Sequence, residues 1–391
     1  MSAFLTMHSL ADGRGSYRYL DKMEWEIVPK IVSVGICKPP YSMTQEAVVA
    51  FAKEMFSGAF SDIQRLLQVF QNGQIETRNF AKDLSWFRRE HTWEEKNHAY
   101  IECATLFGVK AIQTCLQNDA FLQRRVEENE VDAFFFISST GLSTPTIDVK
   151  IMNRLSFSPH TKRIPIWGLG CAGGASGLAR ALEYCKAFPR AKVIVLAVEL
   201  CSLTFQRHDV SKSNLIGTSL FADGAACILV AGEEADICSL SLLPALPAYL
   251  DAQSTLLKDS EDVMGWDVKN EGLYVVFSKH IPTLIKTWLR PNIEPFVRKH
   301  GLTLSDITHF IAHPGGKKVL EAYQEALDMP SQKTETSLNV LKENGNMSSV
   351  TVFYVLERYM RRVRQTGEIG MIAALGPGFS SELVLVRWED I

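Results

Sequence analysis

The chain has 391 residues, 46% of them apolar, and its 41 basic and 44 acidic side chains give a formal charge of −3. Such a length supports a large core divided between two domains or two fused halves. Scattered Lys and Arg exclude the basic footprint of a nucleic-acid binder, and no apolar run reaches the ~20 residues of a bilayer span, so stable membrane insertion is not expected.

Residues 1–29 are mixed and aperiodic and read as an N-terminal extension. They lack a basic region followed by an apolar run, so no secretory signal is expected. Lys30–Ile36 is the first strand, ended by Lys38-Pro39-Pro40. Thr44 then caps a helix carrying Val48, Phe51 and Ala52. A second helix runs from Thr92 to about Leu116, with Ala99, Ile101, Ala104, Leu106, Val109 and Ile112 as its apolar face. Val131–Ile137 is a buried strand, and the loop after it, Ser138 to Pro145, is rich in hydroxyls.

The stretch Ile164-Pro165-Ile166-Trp167-Gly168-Leu169-Gly170-Cys171 reads as a short buried strand, a tight turn and one cysteine. A helix follows through Leu178 and Leu182. The glycines permit backbone angles that a side chain forbids, and a helix N-terminus favours a thiolate. Cys171 is therefore a candidate nucleophile, against the alternative of a buried structural thiol. None of the eight cysteines forms C-x-x-C or pairs with histidine at zinc-ligand spacing. A reducing cytoplasm without structural disulfides, and no bound metal, are the expectation.

Strands at 193–198 and 225–230 complete the first half. The plan recurs: a strand at 308–312 ends in His313-Pro314-Gly315-Gly316 and is followed by a helix to about Leu327. Asn344-Gly345-Asn346 opens another helix, and strands at 370–375 and 381–386 close the chain. The predicted class is α/β, as two related halves stacked around one site. Two separate domains would need a linker, and no Pro/Gly/Ser-rich linker is evident. Cys171, His313 and Asn346 are each expected at a strand–helix junction, where a nucleophile, a base and an amide donor could converge.

Several motifs carry a resemblance: GLGCAGGASGLARA around Cys171, LFADGAA from Leu220, AHPGGKK around His313, GNMSS around Asn346 and LGPGFSSE near the end. In these the chain resembles the type III polyketide synthases, the chalcone synthase-like branch of the thiolase superfamily, and is most similar to bacterial members that make alkylpyrones. The resemblance covers nearly the whole chain from about residue 30. It implies thiolase-like duplicated α/β halves in a layered αβαβα core. The Cys-bearing half would span 30–240 and the half with His and Asn 241–391.

The resemblance also implies the chemistry. Cys171 would take a starter acyl group from coenzyme A, paired as a thiolate with an imidazolium at His313. His313 and Asn346 would polarise malonyl-CoA for decarboxylative Claisen condensation, repeated on the growing chain. Acyl-CoA and malonyl-CoA are the implied partners, with no metal or redox cofactor, in a cytoplasmic homodimer. Phe221 matches the aromatic gatekeeper, and Ser139, Thr140, Cys201, Thr204 and Ser348 match cavity positions. Pro377 lies in the loop at the cavity floor, and Thr144 matches the residue that crosses the dimer interface.

Two departures bear on substrate. Val275 stands where plant members carry a second gatekeeper phenylalanine, and Cys201 replaces a threonine. Both make the lining less polar, and the first widens it. A fatty acyl starter, roughly two or three malonyl extensions and an alkylpyrone product are the resulting expectation. Arg65, Arg78, Lys317 and Lys318 are weaker candidates for the coenzyme A phosphates. The nearest alternative is a single-round ketoacyl synthase working from a carrier protein; its asparagine motif usually reads GNTSA. A catalytically silent acyl-CoA-binding protein on the same fold is the other, and it would be expected to lose one of the three site residues.

Overall fold

A computed structural model describes residues 28–56, 63–362 and 365–391, the side chains of 63–66 excepted. The N-terminal extension thus lies outside the described residues up to position 27. The first half contains β1 (Lys30–Cys37), β2 (Tyr41–Thr44), α1 (Gln45–Phe56), α2 (Ile63–Asn72), β3 (Thr77–Phe80), α3 (Leu84–Phe87) and α4 (Trp93–Leu116). It continues with β4 (Ala133–Ile137), α5 (Ile147–Met152), β5 (Lys162–Ile166), α6 (Gly173–Ala187), β6 (Lys192–Leu200), α7 (Lys212–Leu220), β7 (Asp223–Ala231) and α8 (Ile237–Leu240). Then follow β8 (Ala245–Leu256), β9 (Met264–Lys269), β10 (Gly272–Phe277), α9 (Ile281–Arg298), β11 (Ile307–Ala312) and α10 (Lys317–Leu327). The chain ends with α11 (Glu335–Asn344), α12 (Thr351–Met360), β12 (Ile369–Gly376) and β13 (Ser380–Asp390).

One set of pairings occurs twice. In the first half β4 runs parallel to β6, β6 antiparallel to β7, and β7 antiparallel to β1. In the second, β11 runs parallel to β12, β12 antiparallel to β13, and β13 antiparallel to β8. The two sets join into one nine-stranded sheet through β1 and β8, paired at Lys30 and Ala248. β4, β7 and β12 are buried along their whole length, as strands covered on both faces must be. Helices α6 and α12 are the inner layer. That position explains the composition of α6: a Cβ on Gly174 would lie 2.2 Å from the Ser349 carbonyl oxygen, and one on Gly177 2.3 Å from the Ile137 side chain. A second apolar core, with Ile285, Leu289, Phe310, Tyr323 and Leu385, lies under α9 and α10.

Most expected elements are present, and the differences have local causes. The helix from Thr92 begins with a capping box between Thr92 and Glu95, but Leu106 is 43% exposed while Tyr100, Cys103 and Phe107 turn inward. The strand before Cys171 is not buried. β5 is the sheet edge, paired only with β4, and Lys162, Arg163 and Pro165 face out; charge and proline on an open edge discourage stray pairing. Asn346 follows a helix, α11, rather than a strand. Strand β8, helix α9 and the β9–β10 hairpin were not among the expected elements, although α9 carries an apolar stripe at Ile281, Ile285, Leu289, Ile293 and Val297.

Candidate active site

Cys171 sits in a 3₁₀ turn, Gly170–Ala172, that runs into α6. The turn exists because Gly168 and Gly170 take φ of +92° and +46°. A Cβ on Gly170 would lie 2.9 Å from the Pro377 ring, so the β12–β13 loop closes directly over the nucleophile's turn.

His313 ends β11, its N–H continuing the ladder onto the Ala373 carbonyl at 2.8 Å. Neither ring nitrogen has a hydrogen-bond partner, although the residue is buried. An unpaired buried imidazole is costly and marks a position kept open for something else. Asn346 reaches the same place by another route. Gly345 takes φ +70°, and Asn346 forms an isolated bridge to Phe221. Its backbone N–H donates to the Leu220 carbonyl and its own carbonyl accepts from Ala222 N–H, both at 2.9 Å. The side-chain Nδ2 donates to the Gly315 carbonyl at 3.0 Å, and Oδ1 accepts from Ser348 N–H at 2.8 Å. Asn346 is thereby tied to the turn after His313, to the strand after Phe221 and to Ser348.

Burial dominates the electrostatics. It pushes the Cys171 thiol up to about 12, with Ser348 and Asn346 opposing the rise through hydrogen bonds and Glu199 adding to it. It pulls the His313 imidazole down to about 3. Each group alone is therefore held neutral. The expected thiolate–imidazolium pair has only the mutual attraction of its members and the Ser348 and Asn346 donors to offset that desolvation.

Beneath the cysteine lies a group that sequence reasoning missed. Glu199, fully buried at the end of β6, accepts hydrogen bonds from Ser139 N–H and Oγ at 3.0 Å, Thr140 Oγ1 at 2.9 Å and Ser349 Oγ at 2.7 Å. Desolvation nevertheless pushes its carboxyl up to about 7. The hydroxyls of Ser139 and Thr140 are thus committed to Glu199 rather than open to a substrate. The available signal was a lone acid inside the apolar run Val193–Leu200.

Phe221 is the C-cap of α7. Its ring centroid is 5.6 Å from that of Phe277 and 6.0 Å from that of Trp266, both on the β9–β10 hairpin. Val275 does stand where the second gatekeeper was sought, but two rings on the same hairpin restore an aromatic wall. Cys201, Thr204, Phe221 and Val275 line one narrow cleft of about 50 Å³ with Val48, Phe51, Phe80, Leu84, Phe87 and Phe205. Cys171 is not itself among the lining residues. Its sulfur lies near enough to Cys201 for charge on one to raise the other's pKa.

The cationic candidates fare differently. Arg78 is wholly buried and bonded to main-chain carbonyls, so it is not available to a coenzyme A phosphate. A cation in a four-residue strand looked like surface charge; packing of α7 over β3 hides it. Lys318 is exposed and Lys317 pairs with Glu321 at 3.4 Å, both on the first turn of α10. The Arg65 side chain lies outside the described residues. Thr144 is exposed. No cluster of metal-ligating side chains occurs among the described residues.

Known proteins are similar to this chain along most of its length. The family model for the N-terminal domain of chalcone and stilbene synthases matches residues 105–234, and that for the C-terminal domain matches residues 249–388. The chain is 52% identical over 360 residues to a putative chalcone synthase of Bacillus subtilis (strain 168), covering 92% of this chain and 98% of the relative. It is 30% identical over 330 residues to the alpha-pyrone synthesis polyketide synthase-like Pks18 of Mycobacterium tuberculosis, with 82% of each covered. The crystal structure of 1,3,6,8-tetrahydroxynaphthalene synthase from Streptomyces coelicolor A3(2), a bacterial type III polyketide synthase, matches with a TM-score of 0.84 at 25% identity, covering 93% of this chain and 100% of that one. The chain belongs to the chalcone and stilbene synthase family. It is a type III polyketide synthase, an acyltransferase-type enzyme on a thiolase-like fold.

Proposed function

We propose that this synthase extends a long-chain fatty acyl starter with malonyl-CoA and releases an alkylpyrone. The observation that carries the reading is the cleft behind Phe221 and Cys201, whose walls are mostly phenylalanine, leucine and valine. Each buried CH₂ contributes ~0.8 kcal/mol, roughly fourfold in affinity, so an apolar cleft selects steeply for chain length. Among the relatives, Pks18 is named for alpha-pyrone synthesis.

In this reading Cys171 attacks the starter thioester, coenzyme A leaves, and the thiol proton passes to His313. Malonyl-CoA then binds with its thioester oxygen toward His313 and Asn346. Loss of carbon dioxide places charge on that oxygen, where the two donors stabilise it. The resulting enolate attacks the Cys171 acyl group, and the extended chain returns to the sulfur for about two more rounds. No metal or redox cofactor enters these steps. Lys317 and Lys318 are the remaining candidates for the coenzyme A phosphates. The working unit is a homodimer: the open edge of β5 lies beside half-exposed Trp167 and Leu142, with Thr144 in the same loop. Among the described residues no helix is long and apolar enough to cross a membrane. A cytoplasmic enzyme is part of the same reading, supported by its unpaired cysteines.

The deciding experiment is a panel of acyl-CoA starters of graded length with malonyl-CoA and product mass. Rising kcat/KM with chain length and pyrone masses are expected. Preference for aromatic or very short starters, or use of malonyl-CoA alone, would overturn the fatty-starter reading.

A further inference from the structure

Arg78 is a charged side chain in the interior that the chemistry above does not use. Nη1 donates to the carbonyls of Thr218 and Phe221, both at 2.9 Å. Nη2 donates to the Ser219 carbonyl at 2.9 Å and to Gln45 Oε1. All three carbonyls belong to the last turn of α7 and its cap, where the helix has no acceptors' partners of its own. A cation also suits the negative end of that helix. Burial lowers the Arg78 pKa to about 9, with nearby Asp223 working against the fall, so the group is charged at neutral pH.

The clamp reaches further than α7. Phe221, whose carbonyl it holds, is bridged to Asn346 through the bonds of Leu220 and Ala222. On the other side, the strand that carries Arg78 is fastened to the end of α11: Glu76 N–H donates to the Lys342 carbonyl at 2.7 Å, and Thr77 Oγ1 to the Glu343 carbonyl at 2.8 Å. Gly345 lies between, and a Cβ there would be 2.9 Å from Ala222 and 3.3 Å from Arg78. Two segments distant in sequence, the one ending in Phe221 and the one ending in Asn346, are thus secured to one short strand. None of these bonds reaches the Cys171 turn, which packs against Pro377 and runs into α6.

We infer that Arg78 is a positioning residue that sets Phe221 and Asn346 for the malonyl-CoA decarboxylation step, and that it has little effect on loading of the starter onto Cys171. This rests on the roles given to Phe221 and Asn346 above. A lysine keeps the charge but cannot span three carbonyls in the plane of a guanidinium. A displacement of about 1 Å in a group that stabilises developing charge costs on the order of 10²-fold in rate.

The test uses the full-length enzyme and the variants R78K, R78M and R78A. Three quantities are read: starter loading on Cys171 by intact mass, decarboxylation of malonyl-CoA, and product formation. Expected are starter loading within about threefold of wild type, decarboxylation and kcat down on the order of 10²-fold in R78M and less in R78K, and partial recovery of R78A on adding methylguanidinium. A general loss of structure would lower loading and decarboxylation together and would not respond to methylguanidinium. Equal losses in both steps, or wild-type kcat in a folded R78M, overturn the inference. Should the Arg78 variants be insoluble, Q45M keeps the guanidinium and removes its anchor; a loss confined to decarboxylation supports the inference and unchanged kcat overturns it. Failure of the wild-type enzyme to decarboxylate malonyl-CoA at all would instead sink the functional reading.

Discussion

Replacing Glu199 by Gln isolates the energetics of the buried acid beneath the nucleophile. Its two oxygens accept from one backbone N–H and three hydroxyls. Glutamine can keep the same net: its oxygen takes the Ser139 N–H and Thr140 bonds, while Ser139 and Ser349 Oγ rotate to accept from its NH₂. What changes is the proton. Glu199 rises from an ordinary 4.5 to about 7 because burial disfavours its charge. With the folded-state pKa above the unfolded one, its stabilising contribution is complete below about pH 4.5 and is lost as pH rises through about 7. That interval corresponds to ~3 kcal/mol. In urea melts at several pH values, E199Q should gain on wild type by ~3 kcal/mol between pH 4.5 and 7.5 and then level off. The comparison removes other acids that titrate nearby, such as Asp223, pushed up to about 6 by burial. The variant should also label faster with iodoacetamide, because Glu199 charge raises the Cys171 pKa. A stability difference that does not vary with pH would refute the reasoning.

Three other outcomes follow from the geometry. G174A drives a methyl to within 2.2 Å of the Ser349 carbonyl, a backbone atom, and should destabilise by at least ~3 kcal/mol or prevent folding, read by thermal melting. V275F fills the cleft beside Gly217 and should lower kcat/KM for long acyl-CoA starters on the order of tenfold more than for short ones; an even loss across the panel would count against the cleft as the tail site. H313Q removes the only titratable proton acceptor assigned to the thiol, leaving burial to hold Cys171 near 12. Its alkylation rate should rise about tenfold per pH unit from pH 7 to 9, and a plateau in that range would show a thiolate that does not need His313.

The sequence disclosed what depends on neighbours along the chain. The Gly-Leu-Gly-Cys turn, the strand ending at His313 and the helix start at Thr92 are local, and each was found where expected. What was misread depends on distant residues. Arg78 is hidden because α7, more than 130 residues later, covers it. Asn346 is held by its bridge to Phe221, which no local pattern announces. Trp266 and Phe277 join the site only because a hairpin folds over α7 and puts them beside Phe221. β5 was taken as buried from its isoleucines, yet its place at the sheet edge is a property of strand order.

On the proposed assignment, the desolvation that keeps Cys171 and His313 neutral at rest also gives the decarboxylation its direction. The malonyl carboxylate would enter beside Phe221, Trp266 and Phe277, a wall of rings. The thioester oxygen would face His313 and Asn346, where an unpaired imidazole and a fixed amide wait. Charge is thus disfavoured at the end of the substrate that loses it and favoured at the end that gains it. The donors are already oriented by backbone bonds, so little reorganisation remains when the enolate forms. A solvent-filled site would weaken both effects together, because water would solvate the carboxylate and screen the donors. That argument makes the aromatic wall as much a part of the chemistry as the Cys–His–Asn group. It also accounts for the two rings contributed by the hairpin even though the second gatekeeper position holds valine.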